Sequence, residues 1–351
     1  MPKYGHILVM RLSAMGDVAM IVPLLRALVQ QYPEVKITLI SRPFFEPFFK
    51  DIPNISFFAV DLINKHKGIL GLFRLFLDLT KINFDAFVDL HNVLRSKIIR
   101  IFFSIVGKKI VFVDKGRKEK KALTRSKNKV FKPLKTMLER YVSVFNQLEY
   151  KINLQNPIFP KKAILEKELI DIVGIKNEIW IGIAPFAQYE SKIYPLDRME
   201  KVIQVLAMQP NYKILFFGGG KQEIRFFEHI SRKINNVFVV AGKFNLEQEL
   251  KLISHLDIML SMDSGNAHIA AMLGIRVVTL WGATHPFAGF APFNQPIDNG
   301  LFASREKFPK LPTSIYGNKK VKGYEDVMRT IHPEDVIEKI NNMLQTGRIE
   351  I

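Results

Sequence analysis

The chain has 351 residues, 48% of them hydrophobic and 24% charged, enough for two domains with substantial cores and too apolar for disorder. It contains no cysteine, which excludes a disulfide framework, a thiol nucleophile and a Cys-ligated zinc site, and fits a reducing compartment. Its formal net charge of +18 fits either an anionic partner or a solvated basic loop that keeps the protein soluble.

From Met1 the chain runs straight into an apolar strand with no secretory leader pattern, and no apolar run reaches the roughly 18 residues of a membrane span. A cytoplasmic protein is therefore expected. Ile7–Leu12 reads as the first strand, and Ser13–Gly16 as a small-residue turn into a helix from Asp17 to Tyr32. Strands follow at Val35–Ile40 and Ile55–Val60, a helix at Gly71–Thr80, a strand at Phe84–Leu90 and a helix at Val93–Ile105. Lys108–Lys135 is a basic run with 12 Lys or Arg against two acids. A helix at Leu134–Leu148 closes the first half, and a linker is expected within Asn153–Lys162.

The second half repeats the style. Strands are expected at Ile179–Ala184, Tyr212–Phe217, Val237–Ala241, Ile258–Met262 and Val277–Trp281, with helices at Leu196–Met208 and Lys221–Ile234. Pro333–Thr346 reads as a terminal amphipathic helix. This alternation predicts an α/β protein of two doubly wound, Rossmann-like domains, 1–155 and 165–332, with a tail over 333–351. In such folds ligands bind at the carboxyl ends of the strands.

Asp263-Ser264-Gly265-Asn266-Ala267-His268 is the most informative stretch. It joins an apolar strand to a short helix, and the free N–H groups and dipole of a helix start form an anion site. Gly265 admits a ligand close to the backbone, His268 stands about one turn in, and Asp263 is placed for sugar hydroxyls. Alternatively, Asp263 or Ser264 is only an N-cap. Asp17, at the start of the first helix, is either a cap or a general base at the end of the first strand. His91 is an acceptor ligand or a polar loop residue, and Arg95 a ligand of acceptor carboxylates or a cap of its helix. The triple glycine 218–220 lacks the spacing of a P-loop or dinucleotide fingerprint and reads as a tight strand-to-helix turn, and no G-x-G-x-x-G follows either domain's first strand, which disfavours a nicotinamide enzyme.

Arg11-Leu12-Ser13-Ala14-Met15-Gly16-Asp17-Val18 with Pro23-Leu24 resembles the N-terminal signature of glycosyltransferase family 9, the ADP-heptose:lipopolysaccharide heptosyltransferases. Asp263–Ala271, Val278–Thr284, Asp89-Leu90-His91 and Ser191–Pro195 are similar to further segments of that family, in the same order. The resemblance implies two Rossmann domains facing a cleft (glycosyltransferase B type), with the acceptor on the first domain and the nucleotide sugar on the second. It also implies a C-terminal helix returning to the first domain. It implies inverting, metal-independent transfer with no cofactor. On matching positions, Asp17 is the catalytic base. Lys192, Glu223, Phe244, Asp263, Ser264, Gly265 and His268 bind the donor, and Ser13, His91 and Arg95 serve the acceptor. Ala184–Gln188 departs from the family pattern by lacking hydroxyl residues before the lysine segment.

The implied partners are ADP-heptose, an inner-core lipopolysaccharide acceptor, and the inner face of the inner membrane as a peripheral site. The basic run and the aromatic clusters Phe44–Phe49 and Ile98–Phe103 are candidates for touching that membrane. Nucleic acid is not indicated, because the basic run has few aromatics. Alternatives are a transferase or epimerase of the same fold using another nucleotide sugar, or a non-catalytic protein binding acidic lipid or nucleic acid.

Overall fold

The computed structural model describes residues 3–346. The chain divides into two compact units. The first comprises residues up to Gly116 together with Lys135–Phe159, and the second Arg117–Leu134 together with the chain from Pro160 onward.

The first unit is built on strands β1 (His6–Met10), β2 (Lys36–Ser41), β3 (Ile55–Ala59), β4 (Ala86–Asp89) and β5 (Lys109–Phe112). They form one parallel sheet in the order β3-β2-β1-β4-β5. Central β1 is apolar on both faces and buried almost throughout, as expected of a parallel strand covered by helices on each side. Its helices are α1 (Met15–Ala19), α2 (Ile21–Gln31), α3 (Gly68–Thr80) and α4 (Leu94–Ile105). The single helix expected over 17–32 is two, broken at Met20. Pro23 supplies the reason, since it has no N–H to donate to the turn before it. Phe103 of α4 sits under the sheet with its ring against Phe76, Phe84 and Phe87. Of the Phe44–Phe49 cluster, Phe45, Phe48 and Phe49 are core residues, which removes them as membrane contacts.

The basic run is divided between the units. Lys109–Phe112 pairs with β4 as an edge strand in the first unit. Arg117–Leu134 belongs to the second unit and contains a helix, α5 (Arg117–Thr124). This segment, here termed the strap, anchors through Leu123 and Leu134, which cluster with Ala288, Phe131, Phe287, Phe290 and Ile315. The Leu134 N–H donates to the Phe287 carbonyl at 2.9 Å, and Lys129 Nζ to the Pro312 carbonyl at 2.8 Å. The Arg305 guanidinium lies 3.4 Å from the Phe131 ring centre. The expectation that the whole basic run belongs to the first domain is therefore corrected. The chain then returns to the first unit as α6 (Met137–Asn146), whose start carries a reciprocal cap between Thr136 and Glu139.

The second unit opens with α7 (Lys167–Val173). Its sheet contains β6 (Ile179–Ala184), β7 (Tyr212–Phe216), β8 (Val237–Val239), β9 (Ile258–Met262), β10 (Arg276–Trp281) and β11 (Gly300–Phe302). All pairings are parallel, in the order β11-β10-β9-β6-β7-β8. The helices are α8 (Leu196–Ala207), α9 (Lys221–Ser231), α10 (Leu246–Ile253), α11 (Gly265–Met272) and α12 (Pro333–Thr346). Terminal α12 buries Val336, Ile340, Met343 and Leu344 in this unit's own core and packs on α8. Its apolar stripe, at helical spacing, is used up on the second sheet. Residues 347–351 of the expected tail lie outside the described residues.

Candidate active site

Each sheet has one place where the strand order reverses, between β1 and β4 in the first unit and between β6 and β9 in the second. Neighbouring strands there send their following loops in opposite directions, leaving a crevice at their carboxyl ends. Both signature turns emerge at these two places.

In the first unit, β1 continues into Arg11, a nearly fully buried guanidinium. Its Nη1 donates to the Leu90 carbonyl at 2.6 Å and to the Tyr141 hydroxyl at 3.1 Å, and its Nη2 pairs with Asp17 Oδ2. Burial works against the charge on Arg11, but Asp17 and Tyr141 more than offset it and raise its pKa. The Ala14 N–H also points to Asp17 Oδ2, at 3.4 Å. Asp17 therefore stands in the first turn of α1 with Oδ2 held and Oδ1 in neither contact.

Beside it, Asp89 at the end of β4 accepts from the His91 and Asn92 N–H groups at 2.8 and 2.7 Å and faces Arg100 Nε at 3.3 Å. This Asx-type turn sets the backbone that carries His91. His91 is buried, with Nε2 3.4 Å from Ser13 Oγ and Nδ1 without a hydrogen-bond partner. Burial, aided by the charges of Arg11 and Lys115, pushes its pKa down to about 3. The ring is thus neutral near pH 7, able to donate or accept a hydrogen bond without adding charge. Arg95 is exposed in the first turn of α4, and its charge helps lower the His91 pKa. Asp17, Ser13 and His91 are thus brought together, with Arg95 at their margin.

In the second unit, β9 ends at Asp263 and α11 begins at Gly265. Neither Asp263 nor Ser264 caps this helix: Ser264 occupies the N-cap position with no side-chain hydrogen bond to the turn, and its Oγ instead lies 3.1 Å from Ser261 Oγ. The first N–H groups of α11 therefore receive no side-chain cap from Ser264. His268, on the first turn, is buried. Lys192 reaches this turn from the segment after β6, with Nζ 2.9 Å from Asp263 Oδ2.

The lysine stem is held in place. Ser191 Oγ donates to the Gly317 carbonyl at 2.6 Å, and Gly317, at φ +86°, lies so close that an added Cβ would come within 2.4 Å of Lys192 Cδ. Gly282 is equally tight, where a Cβ would fall 2.7 Å from the Ser191 carbonyl. Glu223 sits on α9 after the triple glycine, its Oε2 accepting from the Gly219 N–H at 3.0 Å. Phe244 is half-buried just ahead of Asn245, the cap of α10. These two stand at the carboxyl ends of β7 and β8, on the same edge of the sheet as Lys192 and Asp263, without touching that pair. Phe186, in the segment without hydroxyls, packs its ring on Phe226 and Phe227. The residues around the site that motifs did not indicate are Tyr141, Arg100 and Gly317, and the motif positions Arg11 and Ser191 gave no sign of their roles as partners of Asp17 and Gly317. Among the described residues, no cluster of three or more His, Asp or Glu side chains is suited to a metal ion.

The family model for glycosyltransferase family 9 (heptosyltransferase) matches residues 72–314. The chain is 27% identical to the lipopolysaccharide core heptosyltransferase OpsX of Haemophilus influenzae, an alignment covering 95% of this chain and 96% of that protein. Its fold is similar to the crystal structure of a family 9 glycosyl transferase from Veillonella parvula, with a TM-score of 0.76 at 21% identity, covering 97% of this chain and 98% of that one. It is also similar to E. coli heptosyltransferase WaaC bound to ADP-2-deoxy-2-fluoro heptose, with a TM-score of 0.68 at 17% identity, covering 96% and 99% of the two chains. With the family match spanning well over half of its length, the chain belongs to glycosyltransferase family 9 and is an enzyme that transfers a glycosyl group.

Proposed function

We propose that this enzyme moves heptose from ADP-heptose to an inner-core lipopolysaccharide acceptor, with inversion and without a metal ion, at the cytoplasmic face of a membrane. The observation that carries the reading is the carboxylate of Asp17, held through one oxygen by buried Arg11 beside a neutral His91 at a sheet switch point. A single inverting displacement needs one base placed in this way. The acceptor oxygen bonds to the anomeric carbon, its proton passes to Asp17 Oδ1, and the bond from the anomeric carbon to the diphosphate oxygen breaks. Ser13 and His91 orient the acceptor hydroxyl, and Arg95 meets acceptor anions.

The departing diphosphate gains negative charge. Lys192, His268 and the free N–H groups of α11 at Ser264 and Gly265 are the chain's means of meeting it. Lys192 and Asp263 neutralise one another across 2.9 Å. On donor binding, Lys192 turns to the diphosphate and Asp263 to the sugar hydroxyls. Glu223 takes the ribose hydroxyls, and Phe244 flanks the base. The relatives support the donor and acceptor: WaaC was solved with an ADP-heptose analogue, and OpsX is named a lipopolysaccharide core heptosyltransferase. Among the described residues no helix is long and apolar enough to cross a membrane, so contact with the bilayer is peripheral in this reading.

The test is ADP release from ADP-heptose, with and without acceptor, for wild type and Asp17→Asn. The variant should keep the donor KM within about twofold while kcat falls by roughly 10²–10⁴-fold, the range of a general base. Wild-type turnover in the variant would refute Asp17 as the base. Release that follows another nucleotide sugar would retain the mechanism and change the donor, and activity lost to a chelator would refute metal independence.

A further inference from the structure

Helices α3 and α4 lie side by side on one face of the first sheet, and both carry apolar residues on both of their sides. Inward, Leu72, Leu75, Phe76 and Leu79 of α3 join Ile99 and Phe103 of α4 in the core. Outward, α3 presents Ile69, Leu70, Phe73 and Leu77, at helical spacing, with Leu70 77% exposed. On α4 the outward residues are Leu94, Ile101 and Ile105, the last also 77% exposed, with Val106 following. The two outward faces meet where the Phe73 ring packs edge-on against Phe102, 5.6 Å between centres. A helix pair on a soluble surface is normally polar on its outer side, so this continuous face requires a cover.

The charges around it name the cover. Residues 62–112 hold nine Lys or Arg and three acids. Of those acids, Asp89 is buried on Arg100, and Asp78 is occupied by Lys65, His66 and Lys81. Lys67 precedes α3 and Lys109 follows α4, while Arg74 and Lys97 stand exposed on the helices themselves. An apolar face rimmed by cations fits the headgroup boundary of an anionic bilayer. A two-fold contact with a second copy would bring the same cations against each other.

We infer that the outer face of α3 and α4 is the surface by which this enzyme docks on an anionic membrane, with Ile69, Leu70, Phe73, Leu77, Ile101 and Ile105 entering the acyl boundary and the lysine rim meeting acidic headgroups. The inference deepens the reading of a membrane-anchored acceptor, yet it stands on this face alone. It assigns docking to residues outside the strap.

The experiment is sedimentation of the full-length protein with phosphatidylcholine vesicles, with or without phosphatidylglycerol, at low and high salt. Wild type should bind the anionic vesicles and release in salt. Combined Leu70→Glu, Leu77→Glu and Ile105→Glu should weaken binding roughly tenfold or more, while Lys118→Glu with Lys121→Glu on the strap should change it little. Melting temperature, and transfer to a water-soluble acceptor fragment, should be unchanged in the triple variant. Equal binding by the triple variant overturns the inference, as does loss with the strap variant alone. A wild-type dimer that the triple variant splits also overturns it, in favour of a second copy. Failure of transfer to the soluble fragment in wild type, with vesicle binding intact, would instead refute the proposed reaction and leave the docking face standing.

Discussion

The two switch points hold their charges differently. At β1/β4 the buried charges are committed to fixed partners: Arg11 to Leu90, Tyr141 and Asp17, and Asp89 to two backbone N–H groups and Arg100. At β6/β9 Lys192 and Asp263 neutralise one another across 2.9 Å beside a helix start whose side-chain cap is missing. The first arrangement is a rigid mount for one carboxylate. The second can exchange partners when a charged ligand arrives. Damage to the first should therefore appear in kcat and damage to the second in the donor KM.

Three changes test this contrast beyond Asp17→Asn, and a fourth probes a buried carboxyl elsewhere in the second unit. Arg11→Met removes the mount and should have the largest effect, about 2–4 kcal/mol of stability from breaking a buried pair. It should also lower kcat on the order of 10²-fold through misplacement of Asp17, with the donor KM nearly steady. Denaturant unfolding and initial rates measure both, and a KM-only effect would break the comparison. Lys192→Ala should raise the donor KM roughly 10–100-fold, the worth of a charge-assisted contact. Isothermal titration with ADP checks it independently of turnover.

Gly317→Ala is subtler. The positive φ costs about 1 kcal/mol, and the new methyl group displaces the Lys192 stem. The donor KM should rise a few-fold at unchanged kcat, and a kcat effect would mean that the lysine also acts on chemistry. The smallest effect concerns Glu249 of α10, whose burial pushes its carboxyl up to about 7. The fold holds that proton where the unfolded chain has lost it, so stability falls as pH rises from the ordinary carboxylate range through about 7. Glu249→Gln should stabilise by about 1 kcal/mol at pH 8 and not at pH 4. Thermal melts at the two pH values would show it, and equal shifts at both would assign the gain to packing.

Much of this was legible in the sequence for a physical reason. Parallel strands buried on both faces are apolar runs, and the turns at Ser13–Gly16 and Asp263–Gly265 use small residues because the backbone must bend sharply there. Asp17 and His268 could be read because they follow those turns directly. Arg11 was not legible as a partner, since a charged residue continuing an apolar strand gives no sign of what it meets 79 residues away at Leu90. Gly317 and Ser191 are separated by 126 residues and meet only through the fold. The strap was misread because its 12-cation context hides three anchors, Leu123, Phe131 and Leu134, that follow no helical or strand period. For helix α12, periodicity reveals an apolar stripe and not the surface it covers, which includes the core of the second unit.

The strap also sets an order of assembly. The first unit is interrupted by a segment that belongs to the second, so its chain is closed only when α6 and the stretch to Phe159 have been made. Leu123, Phe131 and Leu134 then wait for Phe287, Phe290 and Ile315, about 150–190 residues further along. At ribosomal speeds of roughly 5–20 residues per second, that interval is on the order of ten to forty seconds. During it the anchors are without their apolar partners, and the dense positive charge around them keeps the nascent segment from self-association. A cut at residue 160 would separate the second unit from this early piece of its own core, so no single cut in the chain divides one unit from the other.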